Sequence, residues 1–140
     1  MRLWLIRHGE TDANVAGLYS GHSPTPLTAK GISQAHTLHR LLHDVPFDQV
    51  ICSELERAQH LARLALEGRY MSMHTTPLLN EMLFGDWEIR HHRDPTHQDP
   101  ETHASLCMVC QISIPYHGAR LHAFSTPVHR LISGQTGVAW

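Results

Sequence analysis

Lysine is nearly absent from this chain. Lys30 is the only one among eleven basic residues, so arginine carries almost all of the positive charge. The net charge is −2, and no basic excess exists that would suit a nucleic acid or another polyanion. Cysteine is scarce too. Cys52, Cys107 and Cys110 cannot form a disulfide framework, and they fit a reduced, cytoplasmic setting. There is no apolar run long enough for a membrane span and no signal-peptide layout, so no membrane partner is expected. With no internal repeat or low-complexity tract, residues 1–140 read as a single domain large enough to bury a core.

Histidine, in contrast, is abundant at fourteen residues. His36, His39 and His43 share a helix-face spacing, and His91 and His92 are adjacent. No carboxylate or cysteine completes a ligand set around them, so they read as solvated side chains rather than a metal centre. Cys107-Met108-Val109-Cys110 has the spacing of a zinc knuckle but no second pair, which makes it a weak metal signal.

The strongest signal is Arg7-His8-Gly9-Glu10-Thr11, placed directly after the apolar run Leu3-Trp4-Leu5-Ile6. Such a run reads as a buried strand, here about Arg2 to Ile6. The motif would then sit at the carboxyl end of a strand, where open α/β sheets bind their ligands. Arginine grips phosphate oxygens in a bidentate way, and a neutral imidazole nitrogen can attack phosphorus. Gly9 would let backbone approach a ligand closely.

The remaining pattern alternates helix and strand. A loop with Gly17, Gly21, Pro24 and Pro26 leads to Thr28, which reads as the N-cap of a helix reaching about His43. Ile32, Ala35, Leu38, Leu41 and Leu42 form its apolar face. Gln49 to Cys52 reads as a second strand. Ser53 and Glu56 suggest a capping box for a helix with Leu55, Ala58, Leu61, Ala62, Ala65 and Leu66 inward and Gly68 at its close. Met71 to Thr76 reads as a third strand. Polar residues 94–103 with Pro95 and Pro100 read as a loop, and Leu121, Phe124, Val128 and Leu131 as a helix kinked at Pro127. This order calls for an α/β sandwich of three layers, with a mainly parallel sheet covered by helices. Arg57 falls in the first turn after the second strand, at the same sheet edge as His8 and near a helix N-terminus that favours anions.

Four stretches, MRLWLIRHGETDAN, GLYSGHSPTPLTAKGISQA, CSELERAQHLARL and LNEMLFGDWE, resemble the histidine phosphatase superfamily. That superfamily includes phosphoglycerate mutases and many phosphomonoesterases. They occur in the family's order over residues 1 to about 93. The resemblance is strongest to the phosphatases that act on α-ribazole 5′-phosphate in cobalamin biosynthesis. It implies a phosphoglycerate mutase-like fold and a phosphohistidine intermediate on His8, hydrolysed by water. Arg7 and Arg57 would clamp the phosphoryl group. Glu81 would be the general acid that protonates the leaving alkoxide, with Asp86 and Glu88 as local competitors. Asn14 matches a phosphate-site position, and Ser20 and Gly21 would line the substrate side. The implied partner is a small-molecule phosphate ester, with no cofactor and no metal; the oligomeric state is left open.

The family pattern also contains a second catalytic histidine, in a V-x-S-H-x-G segment that follows an apolar strand. No such segment occurs in residues 1–140. Ser133 to Trp140 holds two glycines and no strand-length apolar run, and His117, His122 and His129 do not follow a strand. The expectation is therefore a truncated fold that lacks its C-terminal strand and helix, with impaired catalysis. The alternatives are an inactive phosphate-binding remnant and a phosphatase or mutase-like enzyme of other specificity; a His/Cys-rich metal-binding module is a weaker rival.

Overall fold

The computed structural model describes residues 2–94 and the backbone of residues 138–139. The expected loop at 94–103, the kinked helix near Pro127 and the Cys107/Cys110 pair lie outside the described residues, apart from Asp94.

Three helices and three strands are arranged as α1 (Asp12–Ala16), α2 (Ala29–Leu42), β1 (Val50–Ser53), α3 (Glu56–Ala65), β2 (Met73–Thr76) and β3 (Val138–Ala139). Short 3-10 turns follow β2 at Pro77–Leu79 and Gly85–Trp87. The sheet order is β2-β1-β3, and both pairings are parallel. A parallel pair needs a crossover between its strands, and α3 supplies it between β1 and β2. All four residues of β1 are buried, as a central strand covered on both faces requires.

Thr28 caps α2 as the sequence indicates, its hydroxyl accepting from the Gly31 N–H at 3.1 Å. Ala35 and Leu42 of α2 join Ala58, Leu61, Ala62, Ala65 and Leu66 from α3, with Val50 and Cys52 of β1, in one core. Leu41 departs from the expected apolar face and remains 71% exposed.

Three local expectations are corrected. Residues 2–6 form no ladder among the described residues, although Leu5 makes a single bridge. Both edges of Val50 and Ile51 in β1 are occupied, one by β2 and the other by β3, so the segment does not pair there. The segment instead lies over the core with alternate residues inward, Trp4 and Ile6 packing on it while Leu5 is 70% exposed. Next, the Ser53–Glu56 capping box does not form. Ser53 is still in β1, paired with Thr76, so α3 starts at Glu56 with Leu55 as an N-cap that offers no side-chain acceptor. Third, the loop after the Arg7-His8 motif contains a helical turn, α1. Thr11 and Asn14 close a reciprocal capping box around it, with bonds of 3.0 and 3.3 Å. The tail adds only a two-residue ladder, Val138 and Ala139 pairing with Val50 and Ile51, short of a strand-length run.

Gly9 and Gly31 set how α2 meets the His8 loop. A Cβ on Gly9 would lie 2.7 Å from the Gly31 carbonyl oxygen, and one on Gly31 would collide with the Glu10 carbonyl. The room expected at Gly9 for a ligand is thus filled by helix backbone. Around this contact, Glu10 binds Lys30 at 2.9 Å and the Thr28 hydroxyl at 3.0 Å, while the Glu10 N–H donates to the Gln34 side chain at 2.9 Å.

Candidate active site

His8 is half-buried in the loop that leaves the 2–6 segment. Its Nδ1 lies 2.7 Å from the Gly9 carbonyl oxygen. A carbonyl can only accept, so Nδ1 carries the proton and donates it. In the neutral ring the lone pair is then on Nε2, the nitrogen available for attack. Burial holds the His8 pKa below the ordinary 6.5. The Gly9 bond and the Glu81 charge oppose this, and the Arg57 and Arg7 charges reinforce it.

Because the shift is downward, the neutral ring persists to lower pH than in a free histidine, and the nucleophilic form is lost only below pH 6.5. A titration of the imidazole followed by 1H–15N correlation should show a His8 midpoint below 6.5 and a protonated Nδ1 in the neutral form. A midpoint above 6.5, or an Nε2–H tautomer, would contradict this assignment.

Arg7 is exposed and makes no hydrogen bond among the described residues, so its guanidinium is open to a ligand. Arg57 differs sharply. It occupies the first turn of α3 and is only 3% exposed. Its Nη2 donates to the carbonyls of Gly21 at 2.7 Å and Ser20 at 3.1 Å. Longer contacts run from Nη1 to the Ser23 carbonyl at 3.4 Å and the Thr25 hydroxyl at 3.5 Å. Burial lowers its pKa, while the Glu81 and Glu88 charges act in the other direction. An arginine stays charged under such a shift, so a cation is fixed beside His8. Among the described residues no hydrogen bond uses its Nε–H.

Glu81 follows the first 3-10 turn. One carboxylate oxygen accepts from the Met82 N–H at 2.9 Å, and the other has no hydrogen bond among the described residues. The His22 ring donates from Nε2 to the Glu81 carbonyl at 2.8 Å, tying the Glu81 segment to the 20–23 loop. Ser20 and Gly21 touch Arg57 through their carbonyls, and the Ser20 hydroxyl lies 3.1 Å from that of Thr25. The Asn14 side-chain oxygen is engaged by the Thr11 N–H in the α1 cap.

The structure therefore brings Arg7, Arg57 and Glu81 within electrostatic reach of His8, with Ser20 and Gly21 in direct contact with Arg57. Asn14 is held at the α1 cap instead. On the side facing α2, Arg7 and His8 border an open cavity of about 430 Å³ that Lys30, Gln34, Leu38 and Leu41 also line.

Glu88 is the residue whose role the motif left open. Its carboxylate accepts from the N–H groups of Gly21, His22, Ser23 and Phe84 at 3.0–3.2 Å, and from the Ser23 hydroxyl at 2.5 Å. Burial alone would raise its pKa. The bonds from Ser23, Phe84 and His22 outweigh that and hold it below the usual carboxylate value. No pattern in the sequence could reveal this, because most of its donors are backbone groups more than sixty residues away.

The histidine phosphatase superfamily (branch 1) profile matches residues 3–134. The chain is 64% identical over 133 residues to an adenosylcobalamin/alpha-ribazole phosphatase of Salmonella typhimurium, covering 95% of this chain and 66% of that protein. It is 60% identical to the protein of the same name in Escherichia coli strain K12, with the same coverage. The crystal structure of the alpha-ribazole phosphatase from Shigella flexneri superposes with a TM-score of 0.87 at 56% identity, over 99% of this chain and 72% of that one. The chain thus spans just under two thirds of the length of these curated relatives.

Proposed function

Since the chain belongs to the histidine phosphatase superfamily, we propose that it hydrolyses a phosphomonoester through a phosphohistidine on His8, with α-ribazole 5′-phosphate as the substrate. The observation that carries this reading is the His8 ring itself. Its Nδ1–H is held by the Gly9 carbonyl, it is kept neutral by burial, and it is flanked by the charges of Arg7 and Arg57.

In the first step the Nε2 lone pair attacks phosphorus while the bond from phosphorus to the ester oxygen breaks. Arg7 and Arg57 hold the phosphoryl oxygens, where negative charge gathers. The leaving alkoxide takes a proton from Glu81. In the second step water attacks the phosphohistidine, the phosphorus–nitrogen bond breaks, and Glu81 takes the proton the water releases. His8 returns to its neutral form and inorganic phosphate leaves. Ser20 and Gly21 line the substrate side in this reading, while Asn14 acts through the α1 cap that borders the His8 loop. Arginines supply the positive charge, so no metal and no cofactor are required. The partner is a small phosphate ester, and the setting is the cytoplasm. No described helix is long and apolar enough to cross a membrane.

The test is hydrolysis of p-nitrophenyl phosphate and of α-ribazole 5′-phosphate in the presence of EDTA. Turnover of both, faster with the second and unchanged by the chelator, is the expected outcome. Thermal stabilisation by inorganic phosphate without turnover of either ester would reduce the site to a phosphate binder. Loss in EDTA that zinc restores would overturn the metal-free chemistry.

A further inference from the structure

The 20–23 loop is gripped from two sides by opposite charges. Its N–H groups at Gly21, His22 and Ser23 point to the Glu88 carboxylate, and its carbonyls at Ser20, Gly21 and Ser23 point to the Arg57 guanidinium. A peptide strand bonded this way cannot rotate one side without breaking the other. Gly21 sits at the tightest point, where a Cβ would collide with both the Met82 carbonyl and the Glu88 carboxylate.

Backbone bonds anchor Glu88 in turn. The Tyr19 N–H donates to Arg90 and the Ile89 N–H to Tyr19, at 2.9 and 2.8 Å. Ile89 has a φ of 59°, the left-handed region that a β-branched residue rarely enters. Strain of this kind persists only where the surroundings over-determine the backbone. Here it lies directly beside the carboxylate that holds the loop.

We propose that Glu88 is a positioning residue for the phosphate site: through the 20–23 loop it sets where the Arg57 guanidinium points. Its carboxylate fixes the loop, and the loop carbonyls fix Nη2 of Arg57. The Nε–H, which bonds nothing among the described residues, is then the donor left for a bound phosphoryl group, held in one orientation. The same loop reaches the Glu81 backbone through the His22 ring, so one carboxylate orders both the clamp and the segment carrying the acid. This inference rests on the phosphatase reading and adds to it a residue that touches neither substrate nor the reacting atoms.

The experiment is a double-mutant cycle read out as orthophosphate affinity, with Glu88→Gln and Arg57→Lys alone and together. Glutamine keeps the shape but turns an NH2 group toward N–H donors, so Glu88→Gln should weaken orthophosphate binding about tenfold in the Arg57 background. It should have little further effect once Arg57 is lysine, because the two act as one unit. A purely structural role would instead give losses that add. Ser23→Ala removes only the shortest bond to Glu88 and serves if Glu88→Gln does not fold; it should weaken binding to a lesser degree at an unchanged melting temperature. Wild-type protein that binds no orthophosphate would overturn the phosphatase reading and this inference with it. Wild-type binding with an unchanged affinity in Glu88→Gln or Ser23→Ala, or with additive losses, would overturn the role of Glu88 alone.

Discussion

Replacing His8 by alanine should abolish hydrolysis while leaving the protein folded. The ring supplies the only lone pair aimed at phosphorus in this account, and loss of a nucleophile costs on the order of 10⁶ in rate in enzymes that work as a unit. His8 is half-buried and, among the described residues, bonded only to its neighbour Gly9, so little packing is lost with it. The melting temperature should stay within about 5 °C of wild type, as for a change near 1 kcal/mol in a domain of this size. Orthophosphate binding should survive, since Arg7 and Arg57 remain. Assays with p-nitrophenyl phosphate, thermal melts and phosphate titration check all three together. Full activity in His8→Ala would remove the phosphohistidine from the account.

Arg57→Met should damage both stability and binding. The guanidinium is 3% exposed and donates to two loop carbonyls at 3.1 Å or less. Methionine fills the space but leaves those carbonyls without donors, and it leaves the nearby Glu81 and Glu88 charges without their cation. Breaking a buried charged arrangement from one side costs about 3–5 kcal/mol. Against a total stability of about 5–15 kcal/mol, that is a large share. Urea unfolding should therefore show a clear fall in the midpoint. Phosphate affinity should drop by about 10²–10³ where the protein stays folded, the usual cost of one preorganised donor. Arg57→Lys restores the charge but not the fork of donors, so it should recover much of the stability and little of the binding. Equal recovery of both by lysine would show that only the charge matters.

How much of this was legible in the sequence depends on the range over which each interaction acts. Thr28 declared the start of α2 because a cap is a bond to a residue three positions on. The inward face of α3 was readable from Ala58, Leu61, Ala62 and Ala65, all buried, because helical period is local. Ser53 misled for the opposite reason. Its capping signature was correct in form, but pairing with Thr76 kept it in the strand. Thr11 and Asn14 cap a helix of only five residues, too short for any apolar periodicity to mark. Residues 2–6 had the composition of a strand, but an apolar run marks burial rather than pairing, and here Trp4 and Ile6 pack on the core without a ladder.

The site divides in the same way. Arg7 and His8 could be singled out because their residue types, adjacent and after an apolar run, suit phosphate chemistry. Arg57 could be placed in the first turn after the second strand, but its burial and its bonds to the 20–23 loop could not. Glu88 stood among the local competitors of Glu81, and only the fold shows it collecting donors from Gly21, His22, Ser23 and Phe84. Its partners are set by tertiary structure, which leaves no trace in spacing.

In this mechanism His8 carries the phosphoryl group between the two steps. Rapid quenching of the protein during turnover, followed by peptide mapping, tests it most directly. The account predicts one phosphoryl group on the peptide containing His8, stable in alkali, lost in acid, and missing from His8→Ala. A phosphoryl group on any other residue, or turnover with no trapped group on His8 under conditions where its formation outruns its hydrolysis, would contradict it.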